Sequence, residues 1–344
     1  MAYIESIKLS NFRNYESLEL SFDRGTNIFY GDNAQGKTNI LESVYVCGTT
    51  KSHRSSKDRE MIQFEQEESH IRMKIIRGGS PVKIDMHLRK NKTKGIAING
   101  VPIRKASELF GVANFVFFSP EDLNIIKNGP GERRRFMDAE LCQLDKLYLT
   151  DLAGYNHILN QRNKLLKDMY RQSGLEGTLD VWDVQLVNYG RKIIKKRREF
   201  VESLNEIIRE IHRNLTGGVE NIEVIYEPSV ESGELEESLF RNRDRDLRMK
   251  MTSAGPHRDD LMVSVNGIDI RKYNYKEYMM VFSVVFQDFK LFSLTLGENV
   301  STKINYDEEE VKSALMKSGF HNRLSTMPEG LNTYLYKDFN KKGI

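Results

Sequence analysis

Two cysteines, Cys47 and Cys142, are all this chain contains, too few to build a disulfide framework or, without other ligands, a structural zinc site. No charge of either sign dominates. The 52 basic and 49 acidic residues leave a formal +3 over 344 residues, which permits a nucleic-acid partner without arguing for one, because whole-chain charge does not describe patches. No apolar run approaches the ~20 residues of a membrane span; the longest, such as Tyr278 to Phe286, are far shorter. The opening Met-Ala-Tyr-Ile-Glu carries no basic leader and apolar stretch, so no secretory signal is expected. Internal repeats and low-complexity tracts are lacking too. What is present is 39% apolar and 29% charged residues, enough for a substantial core and not the composition of a disordered chain. The length suits two domains, or one with a large insertion. A soluble, cytoplasmic protein is expected.

Hydrophobic patterning divides the chain. Ile4, Ile7 and Leu9, a turn at Asn11 to Asn14, then Leu18, Leu20 and Phe22 predict strand, turn, strand. A third apolar run, Ile28-Phe29-Tyr30, predicts a strand ending at Gly31, and Ile40, Leu41, Val44 and Tyr45 then recur at helical spacing. Alternation returns at Ile71-Met73-Ile75 and Val82-Ile84-Met86-Leu88, with a turn at Asn99-Gly100. From Glu132 to about Leu215 the pattern is helical and free of proline. One stretch is predicted to run to about Arg171, with a break at Gly174 to Gly177 and a second long helix to Leu215, closed by Thr216-Gly217-Gly218. Strand alternation resumes at Val224, Tyr226, Leu261, Val263 and Val265. A mixed α/β body is thus left for a helical lobe and then rejoined.

Gly31-Asp32-Asn33-Ala34-Gln35-Gly36-Lys37-Thr38 fills every fixed position of G-x-x-x-x-G-K-[ST], between an apolar run and an amphipathic helix. Glycines let the backbone curl so that N–H groups face phosphate oxygens, and the following helix adds the positive end of its dipole. Lys37 suits the β- and γ-phosphates and Thr38 suits Mg²⁺, so ATP and Mg²⁺ are the expected cofactors. The bland alternative is a glycine turn capping an ordinary helix.

Further motifs surround this loop. They are Ile-Lys-Leu-Ser-Asn-Phe-Arg-Asn-Tyr at Ile7 to Tyr15, Lys51-Ser52-His53-Arg54, Phe118-Ser119-Pro120-Glu121-Asp122-Leu123, Gly131-Glu132-Arg133-Arg134-Arg135-Phe136-Met137-Asp138 and Gly255-Pro256-His257-Arg258-Asp259-Asp260. In this order, over about Met1 to Tyr273, the chain resembles the RecF family of bacterial recombination-mediator ATPases, related to SMC-type heads. The resemblance implies ATP-dependent homodimerisation, DNA binding, other recombination-mediator proteins as partners, and a role in replication, recombinational repair and the SOS response. It also implies that the helical lobe is an insertion. Membranes are not among the partners it implies.

Arg133-Arg134-Arg135 reads as a solvated helix start. Six basic residues in eight, Arg191, Lys192, Lys195, Lys196, Arg197 and Arg198, are either a solvated helix face or a DNA-backbone contact. His257-Arg258-Asp259 is not a kinase catalytic loop, since Ser264 stands where asparagine is required. The cysteines read as buried hydrophobes. No catalytic triad or metal-ligand cluster stands out, and no catalytic residue is assigned.

ATPases of this type also need a signature loop donated by a partner, and an apolar strand ending in a carboxylate that holds Mg²⁺ and polarises water. No run of four apolar residues leads into Asp-Glu or Asp-Asp. After Ile268 to Tyr273, Phe282-Ser283-Val284-Val285-Phe286-Gln287-Asp288-Phe289-Lys290-Leu291-Phe292 resembles the Q-loop of an ABC-transporter nucleotide-binding domain. Thr295, Glu298, Asn299, Val300 and Met327 to Thr333 fit its continuation, and that domain's signature would fall beyond Ile344. A junction within or beside Asn266 to Tyr273 is expected. The fold expected is therefore an α/β P-loop ATPase head of SMC/ABC type with an inserted helical lobe, incomplete at the C-terminus. Its parts are 1–131 (head with the loop), 132–217 (lobe), 218–273 (return to the head) and 274–344 (ABC-like fragment). The function expected is that of an ATP- and DNA-binding RecF-type protein, truncated or chimeric and without hydrolysis. An ABC-transporter subunit and an inert fusion product are the alternatives.

Overall fold

The computed structural model describes residues 2–54, 57–169, 176–273 and 291–336. The chain divides into two compact units, Met1–Lys272 and Tyr273–Ile344.

The first unit opens with β1 (Ala2–Phe12) and β2 (Tyr15–Ser21), an antiparallel hairpin whose turn uses positive φ at Asn11 (51°) and Arg13 (54°). After α1 (Lys37–Thr49) come β3 (Glu68–Arg77), β4 (Ser80–Arg89), β5 (Gly95–Ile98) and β6 (Val101–Pro102). They form one antiparallel sheet of order β2-β1-β3-β4-β5-β6. Alternation decides its two faces. Ile7, Leu9, Ile71, Met73, Ile75, Ile84, Met86 and Leu88 turn inward and pack with Val46 and Cys47 of α1. Cys47 is fully buried, as a hydrophobe.

The apolar run Ile28-Phe29-Tyr30 departs from expectation. It forms no strand, and Ile28 and Tyr30 are 79% and 91% exposed. A strand requires a neighbour to take its N–H and C=O groups, and among the described residues no ladder runs beside it. Residues 114–118 behave alike: Phe115 and Phe117 pack inward while Val116 and Phe118 face solvent.

Beyond the short α2 (Asn124–Lys127), the helical lobe is built from α3 (Pro130–Leu144), α4 (Lys146–Met169) and α5 (Glu176–Thr216). The first predicted helix is in fact two. Asp145 separates α3 from α4 and its carboxylate accepts from the Leu147 and Tyr148 N–H groups, a competition with the backbone that favours helix starts over interiors. Of the predicted break at Gly174 to Gly177, residues 174–175 lie outside the described residues and Glu176 and Gly177 open α5. Helix α5, about 60 Å long at 1.5 Å per residue, packs along α4 through Ile158, Leu186, Ile193 and Ile194. The chain returns through β7 (Ile222–Glu227), α6 (Leu235–Arg241), α7 (Arg243–Met249), β8 (Asp260–Val265) and β9 (Ile268–Asp269), with the strands in order β7-β8-β9. No described helix is long and apolar enough to cross a membrane.

In the second unit, α8 (Leu296–Ser301), α9 (Glu308–Lys317) and α10 (His321–Ser325) enclose a small cluster of Leu296, Val311, Leu315 and Leu331. Thr295 and Glu298 form the capping box of α8, and the Asn299 side chain closes on both backbone groups of Phe292. Most of the predicted Q-loop, Phe282 to Lys290, lies outside the described residues.

Candidate functional site

Helix α1 begins on a glycine because nothing else fits there. Gly36 has φ 95°, and a Cβ at this position would lie 2.7 Å from the Asn14 amide and the Tyr15 hydroxyl. Gly31 and Ala34 are also at positive φ, 134° and 65°, and residues 31–35 are exposed. The loop thus curls over the helix N-terminus, where no side chain caps the helix and no acid stands in the first turn. These are the conditions under which a helix N-terminus attracts an anion. The Lys37 ammonium folds back to donate to the Gly31 and Asp32 carbonyls at 2.7 and 2.5 Å. The loop's own oxygens therefore hold the charge over its centre. Thr38 follows, exposed, in the first turn of α1.

The β1–β2 turn braces this loop. Tyr15 Oη and Asn14 Nδ2 donate to the Gln35 carbonyl at 3.2 and 3.4 Å, and Asn39 Nδ2 donates to Asn14 Oδ1 at 2.8 Å. Arg13 grips Glu42 of α1 with two N–H groups, at 2.9 and 2.6 Å. Glu42 has no exposed surface; Ser52 Oγ donates to it at 2.5 Å, and the Arg54 guanidinium lies 3.9 Å away. Burial alone pushes the Glu42 carboxyl up, but Arg13, Ser52 and Arg54 outweigh it and hold the group below its ordinary range. His53 packs against Tyr45 and Phe117, with ring centroids 5.8 and 4.2 Å away, and its neutral form is favoured mainly by burial. Sequence reasoning picked out the loop and missed the brace. The available signal was Glu42, an acid one turn before the apolar Val46 on α1.

A second polar cluster unites two other motifs. Arg133 is buried and clasps Asp260 through Nε and Nη2, at 2.5 and 3.1 Å, while Nη1 donates to the Ile125 and Asn128 carbonyls. It is no solvated helix start; Arg135, 76% exposed, fits that description. Asp259, wholly buried, accepts from Arg197, the Tyr226 hydroxyl and the Ser229 N–H. His257 sits between the Tyr155 hydroxyl (2.7 Å) and the Thr252 carbonyl (3.0 Å), and burial pushes its pKa down to about 4. Ser119 and Asp122 make a reciprocal cap on their own turn.

Of the six basic residues picked out on α5, the structure removes one from any contact surface. Arg197 is 2% exposed and bound to Asp138 and Asp259. A guanidinium committed to two acids cannot reach a duplex. The remaining five are open to solvent, each beside an acid: Arg191 with Glu236, Lys192 with Asp151, Lys195 with Glu199, Lys196 with Asp145 and Glu199, and Arg198 with Glu231.

Comparison with known proteins adds to this geometry. A family model described as an AAA domain matches residues 6–217. The DNA replication and repair protein RecF of Agathobacter rectalis is 62% identical over 270 residues, covering 78% of this chain and 75% of the relative. The RecF of Clostridium perfringens is 41% identical over 303 residues, covering 86% of this chain and 83% of the relative. A solved structure of the recombination mediator protein RecF with ATP, in the RecFOR pathway, superposes with a TM-score of 0.76 at 34% identity, covering 80% of this chain and 76% of that one.

Proposed function

Since this chain belongs to the RecF family of DNA replication and repair proteins, we propose that it binds ATP through Gly31 to Thr38 and acts on DNA in replication, recombinational repair and SOS induction. The observation that carries this reading is the uncapped helix N-terminus beneath a curled loop, with Lys37 held over it. Phosphate oxygens would accept from the loop N–H groups, and Lys37 would exchange a carbonyl partner for the β- and γ-phosphates. Thr38, exposed in the first turn, is the residue here that fits Mg²⁺, which would supply charge neutralisation at those oxygens. Titration with a fluorescent ATP analogue tests the assignment. Lys37→Ala should weaken binding by more than tenfold while leaving the fold intact, because Lys37 bonds only to exposed loop carbonyls. Unchanged affinity would mean that the nucleotide lies elsewhere.

DNA contact through Arg191, Lys192, Lys195, Lys196 and Arg198, pairing with a second copy, and association with other recombination-mediator proteins complete the reading. A cytoplasmic location goes with it. The rival, an ABC-transporter subunit, has little to stand on, since the phosphate loop and its brace lie in the first unit. A junction to an ABC-like fragment rests on the quoted resemblance alone; the division between Lys272 and Tyr273 marks two compact units without saying what the second one is. Against it, the Clostridium alignment covers 86% of this chain, more than the first unit holds, so likeness to RecF reaches past that division. Sequencing the source DNA across the codons for Asn266 to Tyr278 tests whether such a fusion is genomic: a mismatch to the genome sinks it.

A further inference from the structure

The outer face of the six-stranded sheet contains a row that the cross-strand register lines up as Ser17, Ser10, His70, His87 and Gly95. Two imidazoles stand side by side in this row, flanked by small residues. Their rings stack with centroids 3.9 Å apart and planes inclined by 22°. Gly95, opposite His87, contributes no side chain, and Ser10, opposite His70, contributes a small one. The result is a hollow of about 370 Å³, floored by the two histidines and bordered by Lys8, Arg72 and Asp85. Glu68 lies two residues before His70, hence on the same face. Its carboxylate is 2.8 Å from His87 Nε2 and 3.9 Å from His70 Nε2.

This grouping was not legible in the sequence, where no metal-ligand cluster stands out; strand register alone brings His87 to Glu68 and His70. One ligand atom from each residue lies within 4.8 Å of the others. A tetrahedral zinc ion with bonds near 2.0–2.1 Å holds its donors roughly 3.3 Å apart, so modest side-chain rotation closes the set. The bordering cations are already engaged, Lys8 by Glu19 at 2.8 Å and Arg72 by Asp85 at 2.5 Å, which leaves Glu68 to serve an ion.

We propose that Glu68, His70 and His87 form a binding site for a divalent metal ion of the zinc class, with two imidazole nitrogens, one carboxylate oxygen and a fourth position open to the hollow. Two nitrogens and an oxygen select zinc or cobalt over magnesium and calcium, which prefer oxygen alone. The open position takes water or an oxygen of an external ligand. This site is independent of the phosphate loop and of the reading built on it.

Calorimetric titration of the full chain with Zn²⁺ alone tests the proposal. One equivalent is expected with micromolar affinity, and His70→Gln and His87→Gln should each weaken it at least tenfold, since losing even an outer-shell partner of a ligand costs roughly 10–100-fold. Circular dichroism checks folding, and both side chains lie on the outer face. Cobalt supplies a second readout that needs no variant: the bound ion should show the intense visible absorption of a tetrahedral centre. Absence of zinc binding at about 100 μM, where a three-ligand site should be filled, overturns the site. So does equal affinity in His70→Gln/His87→Gln, which would place the ion elsewhere, or the pale spectrum of an octahedral cobalt ion.

Discussion

Glu42 has no solvent, yet it stays charged, because Arg13 reaches it from the β1–β2 turn with two parallel N–H groups. Removing a partner from such a pair leaves an uncompensated buried charge, which costs more than the pair contributes. Arg13→Ala should therefore destabilise the first unit by about 3 kcal/mol in urea titrations, and Arg13→Lys should restore little, since an ammonium cannot copy the forked contact. A loss under about 1 kcal/mol would show that Glu42 simply takes up a proton instead. His257 yields a second test. Its folded pKa, near 4, lies below the ordinary value near 6.5, so between those limits the unfolded chain binds more protons than the folded one. Stability should then be full above about pH 6.5 and fall as pH drops toward 4, by on the order of 3 kcal/mol. His257→Gln should flatten that part of the stability–pH curve. A curve of the same slope in the variant would assign the effect to other groups.

At the scale of elements, sequence pattern located what local chemistry decides and missed what partners decide. β1, β3 and β4 were legible because alternation is written along each strand, and the phosphate loop because its glycines and lysine are consecutive. Ile28 to Tyr30 carries strand propensity and forms no strand, because pairing comes from a neighbour rather than from the run itself. The basic stretch of α5 shows the same limit. Its helical periodicity placed six cations on one element, but only tertiary packing turned Arg197 inward to Asp138 and Asp259, and Arg133 to Asp260. Spacing does separate Arg197 from Arg198, since Arg197 stands four residues from both Ile193 and Val201 on the buried stripe, but it does not say which acids wait there. The exposed members remain suited to a polyanion. Lys192→Glu combined with Lys195→Glu should weaken binding of all DNA sequences alike and make the log–log salt dependence shallower by about two. Affinity insensitive to both salt and these reversals would remove α5 from the DNA contact.

For the whole molecule the question is whether a held nucleotide is also cleaved. Holding it is a local matter, since loop N–H groups, the end of one helix and one lysine do most of the work. Cleavage needs a water placed in line with the γ-phosphate, and that placement comes from a carboxylate on a strand beside the loop and from a second subunit's loop. Both described sheets are antiparallel, and no described strand runs beside residues 26–30, where that carboxylate would emerge. Asp32 lies in the loop itself, with its backbone carbonyl engaged by Lys37, and Glu42 is bound by Arg13. Glu42, committed to Arg13, is not free to polarise water. Ile28 and Tyr30 in one segment, and Val116 and Phe118 in another, expose apolar side chains of the kind a neighbouring strand would cover. Loss of positioning commonly removes orders of magnitude in rate. The expected outcome is nucleotide binding without steady-state ATP hydrolysis above background, with or without DNA, followed as phosphate release from purified, folded protein. Hydrolysis that disappears in Lys37→Ala would show that a carboxylate outside the described strands completes the site.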